Sequence, residues 1–341
     1  MNKYKKPTLL NPGHSACAGC GQLLAARHVV NAFGPNTIVV NATGCLEVTT
    51  TKFSESAWGV PYIHSLFENP SAVASGVLAA LKNKSRGSAL ETKKIPRYDL
   101  RDYPEVGPRV VNPNTPNVVV LAGDGSTYDI GFGLLAGMFE RMDDITYVCF
   151  DNEGYQNTGG QYSGSSPIGA KTTTTPVGKE SEGADEHKKN MVSFAVSQGL
   201  EYVATCSVAY PQDIIAKIRK SFEFKGPKYI QILVPCTPGW GIDPKDAITI
   251  AKLAVETGFY PVLEIIKGKV NKVIKTKDMR PKIEEYLKFQ DRFKHLLGNP
   301  EGKKIINKMQ KMCDQNIDSY GLCPTCVTKG VLTHYNLEET I

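Results

Sequence analysis

Two sets of side chains in this 341-residue sequence have the types and spacing for chemistry. The first is rich in oxygen. Asp124 sits in a Gly123-Asp124-Gly125 turn, and Asn152 and Gly154 follow in the stretch Asp151-Asn152-Glu153-Gly154. Flanking glycines let a backbone approach a phosphate closely. A carboxylate alone would repel that phosphate, so Asp124 makes sense there with a divalent cation between the two. Asn152 offers a neutral oxygen and the Gly154 carbonyl a third. Hard oxygen ligands of this kind favour magnesium. A lone Gly-Asp-Gly turn occurs in many loops, so its weight depends on what surrounds it.

The second set is sulfur. Nine cysteines are many for a chain with no recognisable signal peptide, and an odd number argues against a fully paired disulfide framework. Cys17 and Cys20 form a CxxC pair that can place two thiolates on one metal centre. A redox-active dithiol is an alternative. Such a motif should follow a strand, whereas a loop precedes Cys17. Half of a zinc site, completed by Cys323 and Cys326, is another. Cys45 and Cys236 each come directly after a strand candidate, in ATGC and VPCTPGW. Cys149 reads as a small core residue. Cys206 closes a strand candidate. Cys313, Cys323 and Cys326 form either a tail-specific metal or redox site or a set of free thiols.

Positioning these groups requires regular elements. Ala16–Phe33 is helical after its first glycines and stops at Gly34-Pro35, and Asn69–Lys82 is a second helix. Strands are expected at Thr37–Asn41, Val118–Ala122, Ile145–Phe150, Tyr202–Thr205 and Tyr229–Val234. Helices are expected at Ile130–Glu140, Lys189–Ser197 and Pro211–Phe222. The alternation implies an α/β fold with a doubly wound, mostly parallel sheet, and near-continuous apolar strands fit a sheet covered on both faces. Open parallel sheets bind ligands beyond the carboxyl ends of their strands, and most of the unusual residues lie at those ends. The expected division is a cluster-binding segment with the first helix over 1–35, and a core over 36–245 with a polar, proline-rich insertion at 83–116. A C-terminal extension follows over 246–341. That extension carries helical patterns at Pro244–Gly258 and Met279–Leu297 around a short strand near Pro261–Ile266. It wraps the core or a partner.

Bulk properties exclude other classes. A formal charge of +6 without a clustered basic stripe does not suit nucleic-acid binding. No apolar run is long enough to cross a bilayer, so a cytoplasmic protein with no membrane association is expected.

With 26 residues between Gly125 and Asn152, the pattern resembles the thiamine-diphosphate signature of GDG followed by Asn. The stretches GDGSTYDIGFGLLAG and DNEGYQNTGGQYSGSSPIGAKTTTTPVGK resemble more specifically the beta subunits of pyruvate:ferredoxin oxidoreductases and their relatives. This resemblance implies the thiamine-diphosphate-binding fold, with Asp124, Asn152 and the Gly154 carbonyl on magnesium. It places Asn157 as a catalytic group beside the reacting end of the cofactor. Thr43, Gly44, Cys45, Gly123, Gly125, Ser126 and Thr158 become further cofactor neighbours, as does His64 in VPYIHSLFENP. It assigns Cys17, Cys20, Cys45 and Cys236 to a [4Fe-4S] cluster. The implied reaction is oxidative decarboxylation of a 2-oxoacid, first of all pyruvate, to acyl-coenzyme A with ferredoxin as acceptor. Branched 2-oxoacids, oxalate and aryl-glyoxylates are alternatives. A non-oxidative thiamine enzyme and a zinc-bearing assembly subunit are other function classes. The resemblance also implies partners: an alpha subunit supplying the thiamine-activating glutamate, and gamma and ferredoxin-like delta subunits.

Overall fold

The computed structural model describes residues 8–52, 54–87 and 116–326. Most of the insertion expected at 83–116 lies outside them, and residues 83–87 continue a helix instead.

In chain order the elements are α1 (Gly21–Phe33), β1 (Thr37–Ala42), α2 (Cys45–Thr50), β2 (Tyr62–Ser65), α3 (Pro70–Gly87) and β3 (Asn117–Gly123). A π-helical turn (Gly125–Ile130) leads into α4 (Phe132–Glu140) and β4 (Thr146–Asp151). A small hairpin of β5 (Val177–Gly178) and β6 (Ser181–Glu182) precedes α5 (Met191–Ser197), β7 (Tyr202–Ser207), α6 (Pro211–Ser221) and β8 (Lys228–Leu233). Then come α7 (Thr237–Trp240), α8 (Ala247–Glu256), β9 (Leu263–Ile266), β10 (Lys269–Val273), α9 (Ile283–Leu287) and α10 (Pro300–Tyr320).

Eight strands form one sheet in the order β10-β9-β7-β8-β4-β3-β1-β2. Six of them, β2 through β7 in that row, pair in parallel, and β9 and β10 add an antiparallel edge. Every residue of β4, β7 and β8 is buried, as expected for strands covered on both faces. One face packs on α1 and α6, the other on α3, α4 and α5. Helix α6 shows why these segments fold as they do. Pro211 opens it, Asp213 sits at its positive end, Arg219 and Lys220 sit at its negative end, and Ile214 and Ile218 face the core.

The C-terminal region covers this chain's own core. Trp240, Ile250, Tyr286, Phe293, Leu296, Met309 and Cys313 form a third apolar cluster over the end of β8. The helical pattern expected across Met279–Leu297 resolves into short α9 and a 3-10 turn at Asp291–Leu296. The longest element there, α10, follows it. Its signature is legible in retrospect: Asn299 caps Pro300, and Ile306, Met309, Cys313, Ile317 and Tyr320 recur on one face.

The chain passes from β1 to β2 on one side and then to β3 on the other. The direction of winding therefore reverses between β1 and β3, which opens a crevice at their carboxyl ends.

Candidate active site

That crevice is the site. Its lining comes from the end of β1 and the start of α2 (Asn41 to Leu46), the end of β3 (Gly123 to Gly125), and the loop after β4 (Asn152 and Gly154 to Thr158). Thr43, Gly44, Cys45, Gly123, Asp124, Gly125, Asn152, Gly154, Asn157 and Thr158 are all brought together there. Ser126 lies just behind, fully buried, its hydroxyl donating to the Phe67 carbonyl at 2.6 Å. Asn157 and Thr158 are exposed at the mouth.

His64 stands apart. It is exposed at the end of β2 and reaches the crevice only through a 2.7 Å hydrogen bond to the Thr43 hydroxyl. It is not part of the lining. Replacing it by alanine removes that single hydrogen bond to the crevice, worth about 1 kcal/mol. His64→Ala should therefore weaken cofactor binding by no more than roughly fivefold in a calorimetric titration. A hundredfold loss would show direct contact instead.

The oxygen set is organised around Asp124. The carboxylate accepts from the backbone N–H of Asn152 at 3.2 Å and of Gly154 at 2.8 Å, and from the Ser163 hydroxyl at 2.6 Å. The side-chain amide of Asn152 faces Asp124 Oδ1 and the Gly154 carbonyl oxygen at 2.9 Å each. With no cation its nitrogen end donates to both. Turned over, its oxygen joins two others around a single point, a donor set suited to a hard divalent ion. Glu153, between Asn152 and Gly154, holds a positive φ of 59°, rare for a side-chain-bearing residue. A Cβ on Gly123 would enter open space, while one on Gly125 would lie 2.5 Å from the Tyr155 ring. One glycine thus leaves the cradle open and the other permits close packing.

Behind the loop lies a buried ionic network that the sequence reading missed. Lys188 donates to Asp151 at 2.7 Å and to Glu153 at 3.1 Å, and Arg292 donates to Glu153 at 2.7 Å. Ser165 and Gln231 also donate to Asp151, at 2.5 and 2.9 Å. The Arg292 guanidinium lies 3.9 Å from the centre of the Trp240 ring, whose Nε1 donates to the Asn152 carbonyl at 2.8 Å. Burial alone would raise Glu153, but Lys188 and Arg292 outweigh it and hold it below the usual carboxylate range. Two cations here balance two carboxylates. Asp124 is left over, and burial together with the Asp151 charge pushes it up to about 8. An ion at the oxygen cradle would compensate that charge.

The sulfur set is gathered by backbone hydrogen bonds. The Ser15 N–H donates to Thr49 of α2, the Gly21 N–H to Pro235, and the Thr237 hydroxyl to the Ala18 carbonyl, at 2.9, 3.2 and 2.9 Å. The Cys17–Cys20 loop is thereby held against the segments carrying Cys45 and Cys236. Cys20 precedes α1, Cys45 begins α2, and Cys236 caps α7. Burial, then the neighbouring Cys236, Cys20 and Cys17, push the Cys45 thiol up to about 12. Cys236 is likewise raised to about 12, by burial first and then by Cys20 and Cys17. Thiols held so high shed their protons when a metal replaces them. Among the described residues no three His, Cys, Asp or Glu side chains converge to hold one ion. A cubane cluster makes no such demand, since each thiolate takes a different iron.

The remaining cysteines remove one alternative and correct one expectation. Cys323 and Cys326 are joined in a disulfide, so they do not complete a zinc site with Cys17 and Cys20. Cys206 lies inside β7, not at its end, and Cys149, Cys206 and Cys313 are all buried.

Comparison with known proteins agrees with this geometry. Residues 105–232 match the family model described as thiamine pyrophosphate enzyme, C-terminal TPP binding domain. The chain is 48% identical to pyruvate synthase subunit PorB of Methanosarcina barkeri, over 94% of this chain and all of that one. It is 39% identical to PorB of Thermotoga maritima, covering 91% and 90%. It is 38% identical to ketoisovalerate oxidoreductase subunit VorB of Pyrococcus furiosus, covering 88% of each. The fold matches a 2-oxoglutarate:ferredoxin oxidoreductase from Magnetococcus marinus with TM-score 0.53 at 21% identity, over 89% of this chain and 96% of that one. With identity at this level along nearly its whole length, the chain belongs to the family of the PorB subunits of pyruvate synthase.

Proposed function

We propose that this chain is the thiamine-diphosphate- and [4Fe-4S]-binding subunit of a pyruvate:ferredoxin oxidoreductase. The overall reaction is pyruvate, coenzyme A and two oxidised ferredoxins giving acetyl-coenzyme A, carbon dioxide, one proton and two reduced ferredoxins. The observation that carries this reading is the double role of Cys45. It lines the crevice and also belongs to the four-cysteine set. A cofactor in the crevice and a cluster on the cysteines would therefore be neighbours.

Bound thiamine diphosphate supplies an electron sink for decarboxylation, and the cluster a one-electron acceptor beside it. Asp124, Asn152 and the Gly154 carbonyl hold magnesium against the diphosphate. Gly123 leaves room for the phosphate, and Ser126 braces the turn. Asn157, whose amide is exposed at the mouth, orients the substrate, with Thr158 and Thr43 beside it. Among the described residues, Asp124 is the only carboxylate in the lining. The glutamate that activates the thiazolium is then supplied by a partner in this reading, an alpha subunit closing the site. Exposed Leu66 next to lining residue Phe67, and exposed Val48 on α2, give such a partner apolar surface. Gamma and delta subunits and ferredoxin complete the electron path.

Similarity to VorB makes a branched 2-oxoacid the second reading of substrate. A panel of 2-oxoacids on the purified complex separates the two, with pyruvate expected to have the highest kcat/KM. The cluster is tested on anaerobically purified chain, expected to be brown with iron and labile sulfide in equal amounts. Colourless protein with neither, even after reconstitution, would sink the assignment. No helix among the described residues is long and apolar enough to cross a membrane.

A further inference from the structure

Gln156 is a half-buried residue whose buried amide oxygen no part of this reading uses. Its side chain lines the crevice, and its Nε2 donates to the Asn152 carbonyl at 3.0 Å. That carbonyl can only accept, so the orientation of the amide is fixed. The Oε1 atom therefore points the other way, where it is buried and meets no hydrogen-bond donor. It presses on Gly239, one turn past Cys236. A Cβ built on Gly239 would lie 1.8 Å from Gln156 Oε1 and 3.1 Å from Cys236 Sγ, so oxygen and sulfur are within about 5 Å of each other. Trp240, the next residue, donates to the same Asn152 carbonyl. One side chain thus spans the interval between the cation loop and a cluster cysteine.

We propose that Gln156 is a positioning residue that aims the negative end of its amide dipole at the Cys236 sulfur and so keeps the cluster hard to reduce. The inference rests on the cluster assignment made above. Potentials of iron–sulfur clusters follow local charge and hydrogen bonding, and a dry, unpaired dipole is not screened. A carbonyl oxygen near the sulfur disfavours an added electron. A cluster of low potential passes that electron readily to a low-potential acceptor. Gly239 is part of the device, since any side chain there would push the oxygen away.

The test uses the full chain in its complex, purified anaerobically. The cluster's midpoint potential is read by EPR-monitored redox titration, and thiamine diphosphate affinity by calorimetry. Gln156→Leu removes the dipole and should raise the potential by about tenfold in the reduction equilibrium, about 59 mV for a one-electron couple. Gln156→Glu places a full charge at the same point and should lower it by at least as much. Gly239→Ala should raise the potential in the wild-type background and raise it less beside Gln156→Leu. Thiamine diphosphate affinity is read alongside, so that a lost cofactor site is distinguished from a shifted potential. A purely structural role predicts shifts of one sign in the Leu and Glu variants. That result, or unmoved potentials with the cluster intact, overturns the proposal. Wild-type protein that assembles no cluster overturns the cluster assignment along with it.

Discussion

Replacing Asp124 by asparagine should yield a more stable cofactor-free chain that no longer holds its cofactor. The carboxylate is almost wholly buried and stands beside Asp151, with no cation of its own among the described residues. Lys188 and Arg292 are already matched by Asp151 and Glu153. Folding without the ion therefore costs free energy, and neutralising Asp124 removes that cost. The sign follows from the titration. A carboxyl moved from 3.8 to about 8 on folding binds its proton more tightly in the folded state. It therefore subtracts stability as pH rises through that window. The cofactor-free wild type should lose stability between about pH 4 and 8, and Asp124→Asn should flatten that slope. At neutral pH the variant's melting temperature should rise by a few degrees, about 2–4 °C for each kcal/mol. Its affinity for thiamine diphosphate with magnesium should fall at least about 100-fold, since the one charged ligand is lost. Thermal melts with and without cofactor measure both effects. Unchanged affinity would remove Asp124 from the cation site.

The second large effect concerns Arg292. It lies 139 residues from Glu153 in sequence, yet their 2.7 Å ion pair is buried on both sides. Arg292→Met keeps most of the side-chain volume and leaves Glu153 sharing Lys188 with Asp151. An uncompensated buried charge of this kind costs about 3–5 kcal/mol. The loss should appear as a lower midpoint in denaturant with an unchanged slope. Because Glu153 sits between Asn152 and Gly154, cofactor affinity should fall as well. Adding Glu153→Gln to Arg292→Met should restore a large part of the stability. If the double variant is no better than the single one, packing against Trp240 outweighs charge at this position.

These two residues also mark what the amino-acid sequence made legible. Asp124 was readable because its turn, helix, strand and Asn152 follow one another locally, and each strand end is signalled by a break in an apolar run. The other wall of the crevice, Thr43 to Cys45, was readable for the same reason. Arg292 was not, because a long-range buried ion pair leaves no periodic or local trace. Strands β2 and β10 escaped because they are short and carry polar or charged residues such as His64, Lys269 and Lys272 at sheet edges, where alternation is diluted. Gln22 and Gln156 line the crevice beside residues of stronger signature. A single amide gains meaning only from what its two ends touch.

The placement of Trp240 has a practical side. The chain contains two tryptophans, and Trp58 is stacked on Tyr62 in a separate part of the core. Trp240 is fully buried, bonded through its indole nitrogen to the backbone of the cation loop and covered by a guanidinium. The molecule therefore carries its own optical reporter at the point where the loop after β4, the cysteine turn and the C-terminal segment meet. In a Trp58→Phe background, the emission of a single indole can follow the seating of that loop in real time, without a label.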